Sequence, residues 1–103
     1  MAVTAVLTAR ARPGGYQRVR DGIGELKGIL EKQGLHPRLL RPVTGEHQGD
    51  LSLVTEYDSW AAFGAASDKI QASSAYQALM KRAAEIKDPA LESMSTQFYT
   101  DIG

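Results

Sequence analysis

The sequence contains no cysteine, no long apolar run and no excess of either charge. Without a thiol there is no disulfide, no thiolate metal site and no cysteine nucleophile. Twelve Lys and Arg balance twelve Asp and Glu, so no net field draws the chain to nucleic acid or to an anionic membrane. No apolar stretch reaches the roughly 18 residues that a membrane span needs, and the N-terminus lacks the pattern of a signal peptide. We therefore expect a cytoplasmic protein with neither a nucleic-acid nor a membrane partner.

The signature motifs of several enzyme classes are missing as well. The sequence has no G-x-S-x-G, no P-loop and no dinucleotide-binding fingerprint, which argues against serine hydrolases and nucleotide-dependent enzymes. The two histidines, His36 and His47, stand among scattered acids, and their spacing does not match a known metal site. The sequence therefore predicts neither a metal site nor a cofactor.

The composition is that of a globular protein. Of the 103 residues, 43% are apolar and 23% are charged, and these values are typical of folded domains. A chain of this length is expected to form one domain, residues 1–103, that buries only about 60 to 70% of its unfolded surface. Its stability margin is small, so association with a partner subunit would help it.

Hydrophobic periodicity predicts the order of the helices and strands. Val and Thr near the N-terminus favour a strand, and apolar residues spaced three and four apart favour helices. The predicted elements are a strand over 2–11, a helix from 16 to a cap at 34, strands over 35–45 and 50–57, a helix that breaks at 72–74, a further helix that ends at 88–89, and a strand over 90–102. The β-α-β-β-α-α-β order is that of a ferredoxin-like α+β fold with a four-stranded antiparallel sheet.

Several residues mark where these elements begin and end. Gly34 suits the left-handed position that follows a helix, and Asp58 or Ser59 can cap the helix after it. Pro37 and Pro42 each remove a ladder donor from the second strand, which favours an edge position for that strand.

Three glycines inside the first helix need a reason, because glycine destabilises a helix by about 1 kcal/mol relative to alanine. Gly24 and Gly28 lie on one face, where they would let a neighbouring backbone approach closely. Alternatively, these two leave room for a ligand. We favour the packing interpretation.

The segment GEHQG, residues 45–49, joins the second predicted strand to the third. Extended runs separated by a short, glycine-containing loop are typical of a β-hairpin. Glu46 beside His47 is also a candidate acid–base pair, although adjacent residues in extended chain point in opposite directions. We interpret the segment first as a hairpin connection and keep His47 as a candidate catalytic residue. His36, before Pro37, is interpreted as a surface residue.

Both crossovers place their helices on the same side of the sheet, so the opposite face is left bare. Alternation assigns apolar residues of three strands to that face, among them some of the following: Val6, Leu53 or Val54, and Met94 or Phe98. Their burial favours association at about 25 cal/mol per Å² before binding costs are subtracted. A two-fold homodimer with the sheets face to face is the simplest closed arrangement.

With this order of elements, the chain resembles the dimeric α+β barrel superfamily, which includes the antibiotic-biosynthesis monooxygenases and the NIPSNAP-type proteins. The most particular match is GEHQGDLSLVTEYDSWAAFGAASDKIQASSAYQALM, residues 45–80. It contains a glycine-bounded hairpin, a strand, a helix entry of the form E-Y/F-x-S, an aromatic residue at Phe63 and a second helix that opens near Tyr76. The resemblance implies a dimeric barrel with a pocket in each subunit between the sheet and its helices.

The resemblance also implies what an active site would contain. The cofactor-independent monooxygenases of the superfamily use a Trp, an Asn and sometimes a Tyr on polycyclic aromatic substrates, and its heme-degrading members use an Asn, a Trp and a His. This chain contains no asparagine. Neither set is complete, and neither mechanism is transferred.

The aromatic residues of the chain are either core or pocket walls. Ligand pockets are mostly apolar with a few polar anchors, and Thr55, Glu56, Tyr57 and Gln97 can supply such anchors. We predict catalytic roles for His47 and Tyr57. The predicted pocket for a small apolar or aromatic ligand contains Thr55, Trp60, Phe63, Tyr76, Gln97 and Phe98.

Two functions remain open from the sequence. An enzyme would carry out cofactor-independent oxygenation, as a monooxygenase does, or isomerisation of a small aromatic or carbonyl compound, with Trp60 and the tyrosines shaping the pocket and His47 accepting a proton. The alternative is a non-catalytic dimerisation or ligand-binding module. A continuous pocket that reaches solvent favours the enzyme, and a closed interior favours the module.

Overall fold

The computed structural model describes residues 2–45, 49–86 and 89–102. The elements, in chain order, are β1 (Val3–Ala11), α1 (Tyr16–Lys32), β2 (Arg38–Leu40), β3 (Asp50–Tyr57), α2 (Trp60–Ala72), α3 (Ser74–Glu85) and β4 (Leu91–Tyr99). The predicted ferredoxin-like β-α-β-β-α-α-β order is confirmed. None of the helices in these ranges is long and apolar enough to cross a membrane.

The strands form one antiparallel sheet in the order β2-β3-β1-β4. On one side, which we call the helix side, Ala9 lies opposite Leu51 and Leu7 lies opposite Leu53. This side packs in the core against buried apolar residues of the three helices: Val19, Ile23, Ile29, Leu30, Ile70 and Leu79. The strict alternation of burial along β3 places its intervening residues on the other side, which we call the open face.

The helix α1 follows the predicted apolar stripe. Val19, Ile23 and Leu30 are buried along one side of it, as a helix period of 3.6 residues requires. The helix ends at Lys32, and Gly34 takes the left-handed conformation with φ of 81°. The predicted role of Gly34 after the helix is confirmed, because only glycine adopts this conformation at little cost.

The strand β2 is much shorter than the sequence predicted. Only Arg38–Leu40 pair with β3, although a strand was expected over 35–45. Pro37 and Pro42 bracket this short segment and cannot donate to a ladder, which explains why pairing stops near them. The expected edge position is confirmed by the strand order.

The break between α2 and α3 lies where the sequence placed it. The Ser59 hydroxyl accepts a hydrogen bond from the Ala62 N–H at 3.0 Å, so Ser59 is the cap at the start of α2. Ser73 ends α2 in an extended conformation, and its hydroxyl accepts from the Tyr76 N–H at 3.4 Å at the start of α3. Serines satisfy amide donors that a helix start otherwise leaves unpaired.

The strand β4 has a register shift that the sequence did not reveal. Arg10 pairs with Ser93, but after an irregularity between Arg10 and Ala11, Ala11 pairs with Leu91. Simple alternation along the sequence places Leu91 on the same face as Ser93. The shift instead turns Leu91 to the helix side, where it packs against the core, because an extra residue in one strand reverses the side-chain alternation.

The open face is more polar than expected. Val6 and Val54 lie opposite each other on it, so Val54 rather than Leu53 is the member from β3. Met94 and Phe98 pair with Ala9 and Ala5 and lie on the helix side instead. The neighbouring pairs on the open face are hydrophilic.

Two polar pairs account for that character. The Thr8 and Ser52 hydroxyls are hydrogen-bonded at 3.2 Å. The Arg10 guanidinium Nε donates to Asp50 Oδ1 at 2.9 Å, and this bond, together with the carboxylate charge, raises the pKa of Arg10. The expected apolar contribution to dimerisation is therefore smaller than the sequence suggested.

The chain passes close to the start of β4 where β1 ends. The Arg12 N–H donates to the carbonyl oxygen of Ala90 at 2.7 Å, and a Cβ added to Gly15 would lie only 2.7 Å from the same oxygen. Backbone atoms cannot move away as a flexible side chain can. Gly15 is therefore required by the close approach of two segments, which anchors β4 to the N-terminus of α1.

Candidate functional site

A cavity of about 830 Å³ lies between the helix side of the sheet and the helices. Its lining comes from β1, β3 and β4 and from all three helices, and most of it is apolar. Met80 of α3 and Met94 of β4 line the cavity and are 40% and 51% exposed. The cavity is therefore continuous with solvent between α3 and β4, because α3 packs on α1 and α2 and leaves the inner side of β4 uncovered.

Two hydroxyl groups on β3 provide polar contacts inside the cavity. Thr55 and Tyr57 are 3% and 7% exposed and line the cavity on the helix side. Neither hydroxyl is hydrogen-bonded to another residue within the described ranges, and neither oxygen is sealed away from solvent. Both hydroxyls are thus available to form a hydrogen bond with a molecule in the cavity.

Burial also affects the pKa of Tyr57. Loss of solvation raises the pKa of its phenol above the ordinary value of 10.0, because burial disfavours the charged form. The phenol therefore stays protonated around neutral pH. It can donate a hydrogen bond to a carbonyl or other acceptor, but it does not serve as a base there.

An aromatic cluster borders the cavity at the end where Tyr57 lies. The Phe63 ring lies 5.2 Å from the Tyr57 ring and 5.0 Å from the Phe98 ring, centroid to centroid, both in edge-on geometry. Trp60 stacks at a tilt on Phe98 at 5.2 Å and is 52% exposed. Such contacts orient the rings as well as burying area. The start of α2 and the ends of β3 and β4 are thereby joined around the Tyr57 phenol.

The structure brings most of the predicted pocket residues together. The lining of the cavity includes Thr55, Tyr57, Phe63, Tyr76 and Phe98. These residues come from four different elements, and their assembly follows from the alternation of β3 and β4 and from the helical stripes of α2 and α3. Their roles toward a ligand remain predictions.

Two of the predicted site residues that the structure describes are not in this lining. Trp60 stands outside it, against Phe98. Gln97 lies on the open face opposite Val6, where its side-chain oxygen accepts a hydrogen bond from the Tyr99 hydroxyl at 2.8 Å. Since adjacent residues of a strand face opposite sides, Gln97 cannot share the cavity with Phe98. His47, like Glu46, lies outside the described residues.

The sequence did not predict the charged rim of the cavity. Asp21, Glu25 and Arg82 line it where α1 faces α3, and the Arg82 guanidinium donates to the Glu25 carboxylate. The two residues are 57 positions apart, so no local pattern links them. Exposed pairs of this kind add little stability, but this one marks the polar border of an apolar cavity.

The glycines of α1 do not serve close packing, which corrects the interpretation favoured from the sequence. Within the described part of the chain, a Cβ added at Gly22, Gly24 or Gly28 would have no atom of another element within 4 Å. Gly22 lines the cavity, whereas Gly24 is exposed and does not. The alternative interpretation, room for a ligand at Gly24 and Gly28, is not met either, because neither lines the cavity; the glycine that does so is Gly22.

Comparison with known proteins gives a fold and no closer relationship. No protein-family model matches the chain, and no curated protein matches it either. Among solved structures, it is similar to an uncharacterised NIPSNAP domain protein from Burkholderia xenovorans, with a TM-score of 0.76 and 20% identity over 97% of this chain and 94% of that one. This chain shares its ferredoxin-like fold with that protein. The resemblance predicted from residues 45–80 is confirmed at the level of the fold.

Two further solved structures have a fold similar to that of this chain. One is SnoaB, a cofactor-independent oxygenase from Streptomyces nogalater, with a TM-score of 0.67 and 16% identity over 97% of this chain and 93% of that one. The other is a mutant of MhuD with two manganese protoporphyrin IX molecules bound per active site, with a TM-score of 0.63 and 22% identity over 98% of each chain. At these identities the likeness concerns architecture.

Proposed function

We propose that this protein binds a small, mainly apolar organic molecule in the cavity between the sheet and the helices. The observation that carries the proposal is the cavity of about 830 Å³, since ligand sites are usually apolar clefts of about 300 to 1,000 Å³ with a few polar groups. The bound porphyrin of MhuD and the oxygenase activity of SnoaB support it, as they belong to proteins of the same fold.

The two hydroxyls narrow the chemistry of the proposed ligand. Thr55 and Tyr57 stand two positions apart on one strand face, and both are available in an otherwise apolar region. A ligand that carries a carbonyl or ether oxygen would accept a hydrogen bond from Tyr57 and another from Thr55. We therefore propose an aromatic or other ring compound with an oxygen acceptor.

Catalysis is the second part of the proposal. Tyr57 would donate a hydrogen bond to a substrate carbonyl and so stabilise negative charge that develops on its oxygen. A proton acceptor is also needed for cofactor-independent oxygenation or for isomerisation, and His47 is the residue proposed for it from the sequence. The rival function, ligand binding without chemistry, needs only the cavity and the two hydroxyls.

The partner proposed for the open face is a second copy of the chain. Val6 and Val54 lie at the centre of this face, and a groove along it is lined also by Leu40 and Pro42 of the segment around β2. In a two-fold arrangement these apolar residues would meet their equivalents. The polar pairs beside them favour an interface that holds water.

A ligand screen with a matched pair of variants tests the binding proposal. Thr96 lines the cavity from β4, whereas Lys81 of α3 does not line it and lies away from the open face. Both side chains are exposed, so both positions have room for a tryptophan. Thr96→Trp would fill the cavity, and Lys81→Trp would leave it open.

The measurement is a thermal-shift screen with aromatic acids, quinones and porphyrins, preceded by native mass spectrometry of the purified protein. We expect at least one class of compound to raise the melting temperature of the wild type and of Lys81→Trp, but not that of Thr96→Trp. The absence of any shift in the wild type, or an equal shift in Thr96→Trp, would overturn the proposal.

A further inference from the structure

Gly22 interrupts the side chains that α1 presents to the cavity. Arg18, Gly22, Leu26 and Leu30 are spaced by four and all line the cavity, as residues on one helix face do. The other three carry long side chains. At Gly22 the wall of the cavity is the helix backbone itself.

Neither the backbone nor the packing explains a glycine at this position. The glycines with positive φ in the described ranges are Gly14, Gly34 and Gly45, so Gly22 needs no conformation that is closed to other residues. A Cβ at Gly22 would also have no contact within 4 Å among the neighbouring residues that the structure describes. Glycine inside a helix is nevertheless destabilising relative to alanine.

We infer that Gly22 sets the size of the ligand that the cavity accepts. Without a side chain, this position leaves a recess between Arg18 and Leu26 into which an apolar ring of the ligand fits against the helix backbone. The inference rests on the proposed function, because it assigns to Gly22 the part of the cavity that the larger ligands occupy. Gly22 is thus a specificity-determining residue.

The same helix offers a matched control. Gly24 is two positions further along α1, is exposed, does not line the cavity and likewise has open space where its Cβ would be. A substitution at Gly24 therefore changes helix propensity in the same way as one at Gly22. It does not change the cavity.

The test uses two fluorescent aromatic probes of different size, anilinonaphthalene sulfonate and the smaller naphthol. Their dissociation constants are measured for the wild type, for Gly22→Ala and Gly22→Leu, and for Gly24→Ala and Gly24→Leu. Thr96→Trp identifies the part of the signal that comes from the cavity. Melting temperatures of all variants are measured without probe.

We expect Gly22→Leu to lower the affinity for the larger probe by at least about tenfold, because an added side chain overfills the cavity. The affinity for naphthol should change by less than about threefold. Gly22→Ala should also lower the affinity for the larger probe, and it should raise the melting temperature as Gly24→Ala does. Both Gly24 variants should bind both probes like the wild type.

The possible failures are distinguishable. If the wild type shows no probe binding that Thr96→Trp abolishes, the proposed function fails and this inference fails with it. If the wild type binds but both Gly22 variants bind the larger probe unchanged, only the role of Gly22 is overturned. A melting temperature that falls in Gly22→Ala and rises in Gly24→Ala would also overturn it, because Gly22 would then be required for packing.

Discussion

The Phe63 ring meets the Tyr57 ring edge-on, with centroids 5.2 Å apart and planes at 82°. Phe63 belongs to α2 and Tyr57 to the end of β3, so this contact joins the helix to the strand at the site. An aromatic pair of this geometry contributes about 0.5 to 1.5 kcal/mol beyond burial of area. Phe63 is therefore a positioning residue for the phenol that we propose as hydrogen-bond donor.

Removal of the Tyr57 hydroxyl should weaken ligand binding and leave the stability of the fold almost unchanged. Tyr57→Phe keeps the ring and its contact with Phe63, so we expect the free energy of unfolding to change by less than about 0.5 kcal/mol. The affinity for a carbonyl-bearing ligand found in the screen should fall about tenfold, as the loss of one hydrogen bond predicts. Calorimetric titration and urea unfolding measure the two effects.

Tyr99→Phe is the control, because the Tyr99 hydroxyl bonds to Gln97 on the open face. It should leave the affinity unchanged. An unchanged affinity in Tyr57→Phe, or an equal loss in Tyr99→Phe, would contradict the role of Tyr57 as an anchor.

The raised pKa of Tyr57 predicts a loss of stability at alkaline pH. Below pH 10.0, the ordinary pKa of the phenol, the folded and unfolded states both hold the proton. In that range this group does not make the free energy of unfolding depend on pH. Above that pH the unfolded state releases the proton first, so the free energy of unfolding falls as pH rises toward the folded-state pKa. Urea unfolding between neutral pH and pH 11 should show a shallower decline in Tyr57→Phe than in the wild type; parallel curves would refute this.

Substitution by alanine should destabilise the protein at Gly15 and stabilise it at Gly24. Gly15→Ala places a Cβ 2.7 Å from the Ala90 carbonyl oxygen, and we expect a loss of about 1 to 3 kcal/mol, as for other overpacked sites. Gly24→Ala meets no neighbour within the described residues and should gain up to about 1 kcal/mol from helix propensity. Chemical denaturation checks both values. Equal effects of the two substitutions would show that the approach of Ala90 is not rigid.

The open face should mediate formation of a homodimer. We expect analytical ultracentrifugation at micromolar concentration to show a dimer, and Val54→Asp to shift it to monomer because a carboxylate would lie unpaired at the centre of the face. Lys81→Asp, at an exposed position of α3, changes a charge away from that face and should leave the dimer intact. A wild type that is monomeric under these conditions would refute the proposal.

Much of the fold could be predicted because its signals are local. The alternation of β3 places Leu51, Leu53 and Tyr57 on one face, although it did not say that this face is the buried one. Ser59 and Ser73 are short polar residues suited to helix caps at the places where caps are found. Such signals depend on a few consecutive residues and on the periods of helix and strand. They were sufficient for the order of the elements.

The candidate site was only partly predictable, because its composition depends on pairing between distant segments. Met94 and Arg82 were not among the predicted pocket residues, and Gln97 was included although the strand turns it to the open face. The sequence of one strand does not determine which of its two faces packs against the helices. That choice follows from the pairing of β4 with β1.

The sequence by itself determined the types and order of the elements, the helix caps and the glycine turns, because each follows from the conformational preferences of neighbouring residues. Tertiary structure decided the register shift that turns Leu91 inward, the polar character of the open face and the cavity beneath α3. It also distinguished Gly22 from Gly24, two glycines of equal local preference. Their difference lies in what the folded chain places beside each of them, and long-range packing alone sets that.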